Sequence, residues 1–445
     1  MFLDDVISGA SFSQYLEKRN QLIDAIKKSE KDYKNGLVLL FADFEKPDVR
    51  FRQESSFYYF TGITEPGVAL IIDMEAQSRL FIPNCYKERE KWACSSLQPT
   101  PENAQKLHMN SIELLGESIR GYNIYPYFEQ AAYKNFLSII QSHAQQGGTF
   151  FVLNPNNSYE YVTQRFILER IRKFVPEMKD EALFDISHLV AQKRRAKNIF
   201  EIEKVSDAIN LTIMAHEAAA SAIEVGVLES EVQALAEYVF TATCATAAFP
   251  SIVAAGKNAT TLHYSDNSSE LLDGQLVIVD IGAEFNHYCG DLTRTYPVSG
   301  KFTGRQRELY ELVLETQKYI AGIVRPGYYL FSEKHKKKSL HHLAKDFLLS
   351  KGYADYFTHG IGHFLGLNVH DVGDMREPLK DGDVITVEPG IYIPEEQIGI
   401  RIEDNYWITD EQTICLSEIL PKEITEVETF METAKSEQES SLIDT

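Results

Sequence analysis

Asp280, Asp291, His363, Glu388 and Glu403 are four carboxylates and one imidazole, each set in a strand-like or glycine-rich run of the C-terminal half. An oxygen-rich set of this kind suits a hard or borderline divalent ion, and it can hold two when carboxylates bridge them. The chemistry it points to is metal-assisted hydrolysis. A single acid after a hydrophobic strand is more often a turn or cap residue. The weight therefore falls on five such contexts acting together.

Leu276-Val277-Ile278-Val279-Asp280-Ile281-Gly282 is a β-branched run ending in an acid and a glycine, and Thr293-Arg294-Thr295-Tyr296 follows Asp291 as a second strand-like run. The eleven positions from Asp280 to Asp291 suit adjacent strands joined through Glu284 to Tyr288, with both acids directed to one place. A third segment, His359-Gly360-Ile361-Gly362-His363-Phe364-Leu365-Gly366-Leu367-Asn368-Val369-His370-Asp371, holds three of the twelve histidines. Its glycines let the backbone approach a ligand closely. Val387-Glu388-Pro389-Gly390-Ile391-Tyr392 ends a strand with an acid at a Pro-Gly turn, and in Gly399-Ile400-Arg401-Ile402-Glu403-Asp404 the spacing puts Arg401 and Glu403 on one strand face.

These five contexts, in this order, resemble the metal-binding blocks of the pita-bread metallopeptidases, in the branch of Xaa-Pro aminopeptidase (aminopeptidase P) and Xaa-Pro dipeptidase (prolidase). The run from Phe51 to Gly62 resembles a block in the N-terminal domain of the same branch. The resemblance implies an α/β N-terminal domain and an α+β pita-bread (creatinase/aminopeptidase-like) catalytic domain. It implies Asp280 on one ion, His363 and Glu388 on the other, and Asp291 and Glu403 bridging. The ions would be two divalent metals, manganese first, with cobalt, iron or zinc as substitutes. The implied reaction is hydrolysis of an N-terminal Xaa-Pro bond by a hydroxide that the two metals activate, with Glu388 passing a proton toward the leaving nitrogen.

By the same resemblance His263 and His370 are catalytic residues beside the scissile peptide, and His359, Arg401 and Trp92 bind substrate. The partners implied are peptides with proline second, and the chain is expected to be a homo-oligomer, dimer or tetramer. Read without the resemblance, His263 is more often a structural histidine, Arg401 an ion pair to a ligand carboxylate, and Trp92 a packing residue. A dipeptidase must recognise a carboxylate directly after proline. The segment from Asp371 to Val387 offers only Arg376 and Lys380 as cations, which favours the aminopeptidase. A non-catalytic binding relative is the other rival, and the intact ligand set opposes it.

Other chemistries find little support. His216-Glu217 lacks the second histidine of a zinc-protease helix, because position 220 is alanine; Gly256-Lys257 lacks the rest of a phosphate loop; and there is no G-x-S-x-G elbow. The basic run Lys334 to Lys338 reads as a solvated face. A net charge of −21 opposes nucleic acid or an anionic membrane as partner. The acidic start Met1-Phe2-Leu3-Asp4-Asp5, the lack of any apolar run near the roughly 20 residues of a membrane span, and five cysteines without a Cys-x-x-Cys pair lead to a cytoplasmic expectation.

The elements that must position these residues follow from periodicity. At 445 residues the chain exceeds one ordinary core, so two domains are expected, 1–180 and 181–423, followed by a flexible tail over 424–445 rich in Glu, Ser and Thr. Short apolar runs at 36–41, 68–73, 79–83 and 149–153 predict N-terminal strands. Asn198 is placed to cap a helix carrying Ile202, Val205, Ile209, Ile213 and Ile223 and stopping near Gly226. A second helix, carrying Leu309, Leu312, Val313, Thr316, Ile320 and Ile323, should stop at Arg325-Pro326-Gly327.

Overall fold

The computed structural model describes residues 9–29, 35–46, 48–85, 89, 91, 97–119, 124, 129–154 and 161–443. The chain divides into two units, Met1–Arg194 and Arg195–Thr445.

In the first unit the expected apolar runs form β1 (Gly36–Phe41), β2 (Ala69–Asp73), β3 (Ser78–Ile82) and, after β4 (Ser111–Leu114), β5 (Thr149–Val152). With β6 (Leu183–Asp185) they make one sheet in the order β4-β3-β2-β1-β5-β6. The pairs β1–β2 and β2–β3 are antiparallel, and the other three are parallel. Val38, Leu39 and Leu40 are consecutive and all fully buried, so β1 is covered on both faces, which is why it reads as a continuous apolar run. The helices here are α1 (Gly9–Lys28), α2 (Ser55–Thr61), α3 (Pro101–Lys106), α4 (Lys134–Gln145), α5 (Val162–Phe174) and α6 (Ser187–Arg195). The short α2 lies in the Phe51 to Gly62 block. The Glu54 carboxylate caps it, accepting from the Ser56 and Phe57 amides, and Gly62 ends it in the left-handed region.

The boundary differs from the expected 180. The polar stretch Pro176 to Glu181 is not a linker, because β6 follows it and pairs with β5; the first unit runs on to Arg194.

In the second unit α7 (Ile199–Ala222) starts where expected. The Asn198 side chain accepts from the Glu201 amide at 3.0 Å while the Glu201 carboxylate accepts from the Asn198 amide at 3.3 Å, a reciprocal cap. After α8 (Glu229–Ala242) come β7 (Thr246–Ala247), β8 (Ile252–Ala255), β9 (Leu276–Ile281), β10 (Ala283–Phe285), β11 (Tyr288–Cys289) and β12 (Leu292–Pro297). Then α9 (Gly304–Ile323) stops before Pro326 as the sequence predicts, and α10 (Leu340–Ser350) follows. The strands β13 (Val384–Val387), β14 (Gly390–Ile393), β15 (Ile398–Arg401), β16 (Asp404–Ile408) and β17 (Thr413–Cys415) precede α11 (Ile424–Ile443). The strands form short ladders, β12-β9-β8, β11-β10-β7, β13-β16-β17 and β14-β15, rather than one long sheet. Single bridges, Thr293 to Glu403 and Phe364 to Ile385, tie them further.

The expected flexible tail is instead a helix. Val427, Met431 and Ala434 of α11 recur at helical spacing and are buried in the main core of this unit, and the buried Glu428 carboxylate accepts from the Phe302 amide. Glu426, Glu432, Ser436 and Glu437 of the same helix are exposed. Among the described residues, no helix is long and apolar enough to cross a membrane.

Candidate metal centre

β9 and β12 run antiparallel with Thr293 opposite Asp280, and Asp291 lies two residues before Thr293, so all three side chains leave the same face of the ladder. The chain between the strands makes the β10–β11 hairpin, which pairs on to β7. Asp291 is fixed at its backbone by Asn405, whose side chain donates to the Asp291 carbonyl at 2.6 Å and accepts from the Asp291 amide at 3.2 Å.

His363 and Glu388 arrive on neighbouring segments. The His363 amide donates to Thr386 Oγ1 at 3.0 Å, the Thr386 amide returns to the His363 carbonyl at 2.9 Å, and the Glu388 amide donates to the Ile361 carbonyl at 2.9 Å. Gly362 permits this approach: a Cβ there would lie 2.1 Å from the Thr386 carbonyl oxygen. Pro389-Gly390 is not a hairpin turn. It is the point at which the chain leaves β13, paired with β16, and enters β14, paired with β15. Glu388 stands at that change of sheet. Glu403 holds the corresponding place between β15 and β16, where its amide donates to the Thr293 carbonyl and its Oε2 accepts from Thr293 Oγ1 at 2.7 Å.

Side chains from these segments approach one another. His363 Nε2 lies 3.3 Å from Asp291 Oδ2 and 3.6 Å from Glu388 Oε1. Asp291, His363 and Glu403 present ligand atoms all within 4.8 Å of one another. Asp280 joins through Arg401, whose Nη2 donates to Asp280 Oδ2 at 2.5 Å. Asp280 Oδ1 is buried without a hydrogen-bond partner among the described residues. A lone buried carboxylate oxygen is costly, and a bound cation would satisfy it.

The electrostatics agree. Burial, reinforced by the neighbouring Asp280, pushes the Asp291 carboxyl up to about 6, although the His363 hydrogen bond opposes the shift. Burial and the Asp291 charge carry Glu388 up to about 7 against the pull of His363, and Glu403 is driven well above the usual carboxylate range by burial and its acidic neighbours. Burial disfavours charge on His363, yet Asp291 and Glu388 raise it to about 9. Glu403, and Glu388 in part, hold protons at neutral pH in the metal-free protein, and a divalent cation would replace them.

The matches to known proteins fall on the same segments. Residues 203–410 match the model of metallopeptidase family M24, and residues 15–112 match that of the aminopeptidase P N-terminal domain. An Xaa-Pro aminopeptidase of Haemophilus influenzae is 31% identical over 438 residues, covering 89% of this chain and 93% of that protein. The Xaa-Pro aminopeptidase of Escherichia coli is 32% identical, covering 89% and 92%. The chain belongs to metallopeptidase family M24, in its aminopeptidase P branch. The structure of Escherichia coli aminopeptidase P with the inhibitor Pro-Leu superposes with a TM-score of 0.78 at 26% identity, covering 96% of this chain and 99% of that one. The zinc-substituted Escherichia coli enzyme in complex with product gives 0.78 at 28% identity, covering 95% and 98%.

Within this M24 metallopeptidase the histidines separate by environment. The His370 ring packs edge-on against His363 with centroids 4.3 Å apart; burial, His363 and His263 lower its pKa, which leaves it neutral at pH 7. His263 is exposed on the segment after β8. His359 uses both ring nitrogens, Nδ1 on the Gly360 carbonyl at 2.8 Å and Nε2 on the Tyr392 hydroxyl at 2.9 Å. A carbonyl only accepts, so Nδ1 carries the proton and Nε2 accepts from Tyr392. Burial and the Arg401 charge hold its pKa down to about 3.

Arg401 is fully engaged, with Nη1 on the Tyr392 hydroxyl at 2.7 Å, Nε on Thr293 Oγ1 at 3.3 Å and Nη2 on Asp280. Its guanidinium forms a buried ion pair with the Asp280 carboxylate. Trp92 lies outside the described residues. Sequence reasoning missed Thr293, Thr386, Tyr392 and Asn405, which hold the predicted residues in place. Thr293 and Thr386 had a signal: two positions from Asp291 and from Glu388 on a strand, each had to share that acid's face. His216, discarded as half a motif, is a buried structural histidine bonded to the Tyr296 hydroxyl and the Leu292 carbonyl behind β12.

Proposed function

We propose that this metallopeptidase removes the N-terminal residue from peptides whose second residue is proline, using two divalent ions with manganese as the native metal. The reading is supported by the cluster of Asp291, His363 and Glu403, with Glu388 beside His363 and Asp280 paired to Arg401, in a chain similar to Xaa-Pro aminopeptidases over about nine-tenths of its length. Asp280 would hold one ion, His363 and Glu388 the other, with Asp291 and Glu403 shared. Four carboxylates favour a harder ion than zinc. When bound, the ions supply Lewis acidity and make water nucleophilic near neutral pH.

The chain's own residues supply the rest. Glu388, beside His363 at 3.6 Å, is the group we assign to pass a proton toward the leaving nitrogen. Neutral His370, beside His363, is suited to donate a hydrogen bond to the carbonyl oxygen as negative charge develops, and His263 to join it. His359, pinned by Tyr392 and kept neutral, serves as a wall of the substrate site rather than as an acid. An Xaa-Pro bond has no amide N–H and a fixed φ, so a shaped site gains selectivity where peptidases that bind that N–H lose a contact.

The aminopeptidase reading is favoured over a dipeptidase because, of the two cations the Asp371 to Val387 segment offers, Arg376 is exposed and paired with Asp374 at 2.9 and 3.0 Å. With manganese, kcat/KM should be higher for Xaa-Pro-Xaa and longer peptides than for Xaa-Pro dipeptides. A dipeptide preference of about tenfold, roughly 1.4 kcal/mol, would reverse the choice. We further propose a homo-oligomer in the cytoplasm, a location supported by five cysteines without a Cys-x-x-Cys pair.

A further inference from the structure

His263 lies on an exposed segment between β8 and β9, and three buried or half-buried polar groups tie that segment down. Glu229, the first residue of α8, is completely buried yet carries a carboxylate. Its Oε1 accepts from the Ala255 amide at 2.8 Å and from Asn258 Nδ2 at 3.0 Å. Its Oε2 accepts from the Tyr264 hydroxyl at 2.9 Å and the Ser269 amide at 2.9 Å. The Tyr264 hydroxyl also accepts from the Ser268 amide at 3.2 Å, which closes the segment on itself. Asn267, held at φ 44°, is buried and bonds the Ser251 carbonyl and the Val253 amide.

His263 itself is exposed, flanked by the two residues through which the segment packs inward. Leu262 and Tyr264 rest on a small apolar cluster of Ile252, Ala254, Ala259, Ile278 and Tyr392. Ile278 is on β9, two residues from Asp280, and Tyr392 holds Arg401 and His359. The Glu229 to Tyr264 bond is thus the polar half of an anchor whose apolar half is built on the metal-centre strands. A buried carboxylate is expensive unless its lone pairs are filled, and here the fillers come from both ends of the His263 segment.

We propose that Glu229 is a positioning residue for His263, acting through the Tyr264 hydroxyl to set the depth of the imidazole over the scissile peptide. The inference rests on the catalytic reading of His263. Misplacing a reacting group by about 1 Å can cost as much as 10²-fold in rate. Y264F removes one hydroxyl and leaves the ring, the cluster and the α8 start intact. E229Q keeps the shape but turns an amide NH2 toward two donors, Tyr264 and the Ser269 amide.

The test is a double-mutant cycle on the manganese-loaded full chain, reading kcat and KM for an Xaa-Pro-Xaa tripeptide together with bound metal and Tm. Y264F should lower kcat by about tenfold with KM and metal content near the parent, and E229Q by more. In an H263A background the same changes should cost less than about twofold, because nothing is left to position. Wild-type kcat in Y264F and in any folded E229Q, beside a large loss in H263A, overturns the positioning role alone. Equal proportional losses in both backgrounds also overturn it, as a purely structural effect. Full activity of H263A overturns the reading of His263 and the inference with it.

Discussion

Thr293→Val separates the support of a metal ligand from the ligand itself. Thr293 is completely buried on β12, opposite Asp280, and its hydroxyl both donates to Glu403 Oε2 at 2.7 Å and accepts from Arg401 Nε at 3.3 Å. Valine keeps the β-branch and nearly the volume, so the strand survives and only the two polar contacts go. A hydrogen bond to a charged group contributes about 1.5–3 kcal/mol. Most of that should appear in metal affinity, because Glu403 is pushed well above the usual carboxylate range in the metal-free protein and bears its full charge only with a cation. A loss of about 2 kcal/mol corresponds to roughly 30-fold weaker metal binding, within the 10–100-fold usual for groups that orient metal ligands. Calorimetry of manganese binding to the chelated protein reads the constant directly. Turnover at saturating manganese should stay within about threefold of the parent, since no group proposed to touch substrate has changed. An unchanged metal constant in a folded T293V protein would refute the reasoning, as would a collapse of kcat with both sites filled.

His370→Ala should leave bound metal nearly intact while lowering kcat by about 10²-fold or more, the range for an oxyanion or proton-transfer group; metal loss on elemental analysis would place His370 among the ligands instead. The pH dependence of stability should differ between loaded and chelated protein. Asp291 and Glu388 bind protons more tightly folded than unfolded, so in the chelated protein their contribution is present at low pH and is lost between 3.8 and about 6 and between 4.5 and about 7. His363, raised to about 9, contributes stability below 6.5 that is lost as pH rises through 9. The Tm gap between manganese-loaded and chelated protein should therefore widen from pH 5 to pH 8, and a flat gap would show that the site is not proton-filled without metal.

The sequence by itself determined the strands, caps and stops that carry the candidate donors, because strand alternation and turn chemistry are local. The β-branched run ending at Asp280, the i, i+2 spacing of Arg401 and Glu403, the Asn198 cap and the stop at Pro326 each depend on residues within a few positions, and each stands in the structure where the pattern puts it. Tertiary structure decided what depends on distant partners. The stretch before β6 looks like a linker until β5 pairs with that strand, and the Glu-rich end looks unstructured until Val427 and Met431 find the core. Pro389-Gly390 reads as a turn locally, yet the strands on either side pair with different partners and make it a change of sheet. The supports of the site, Tyr392 under His359 and Arg401, Asn405 under Asp291 and Glu229 under the His263 segment, are ordinary polar residues in sequence. Burial and a partner many positions away give each its role, and neither property is written in the residues beside it.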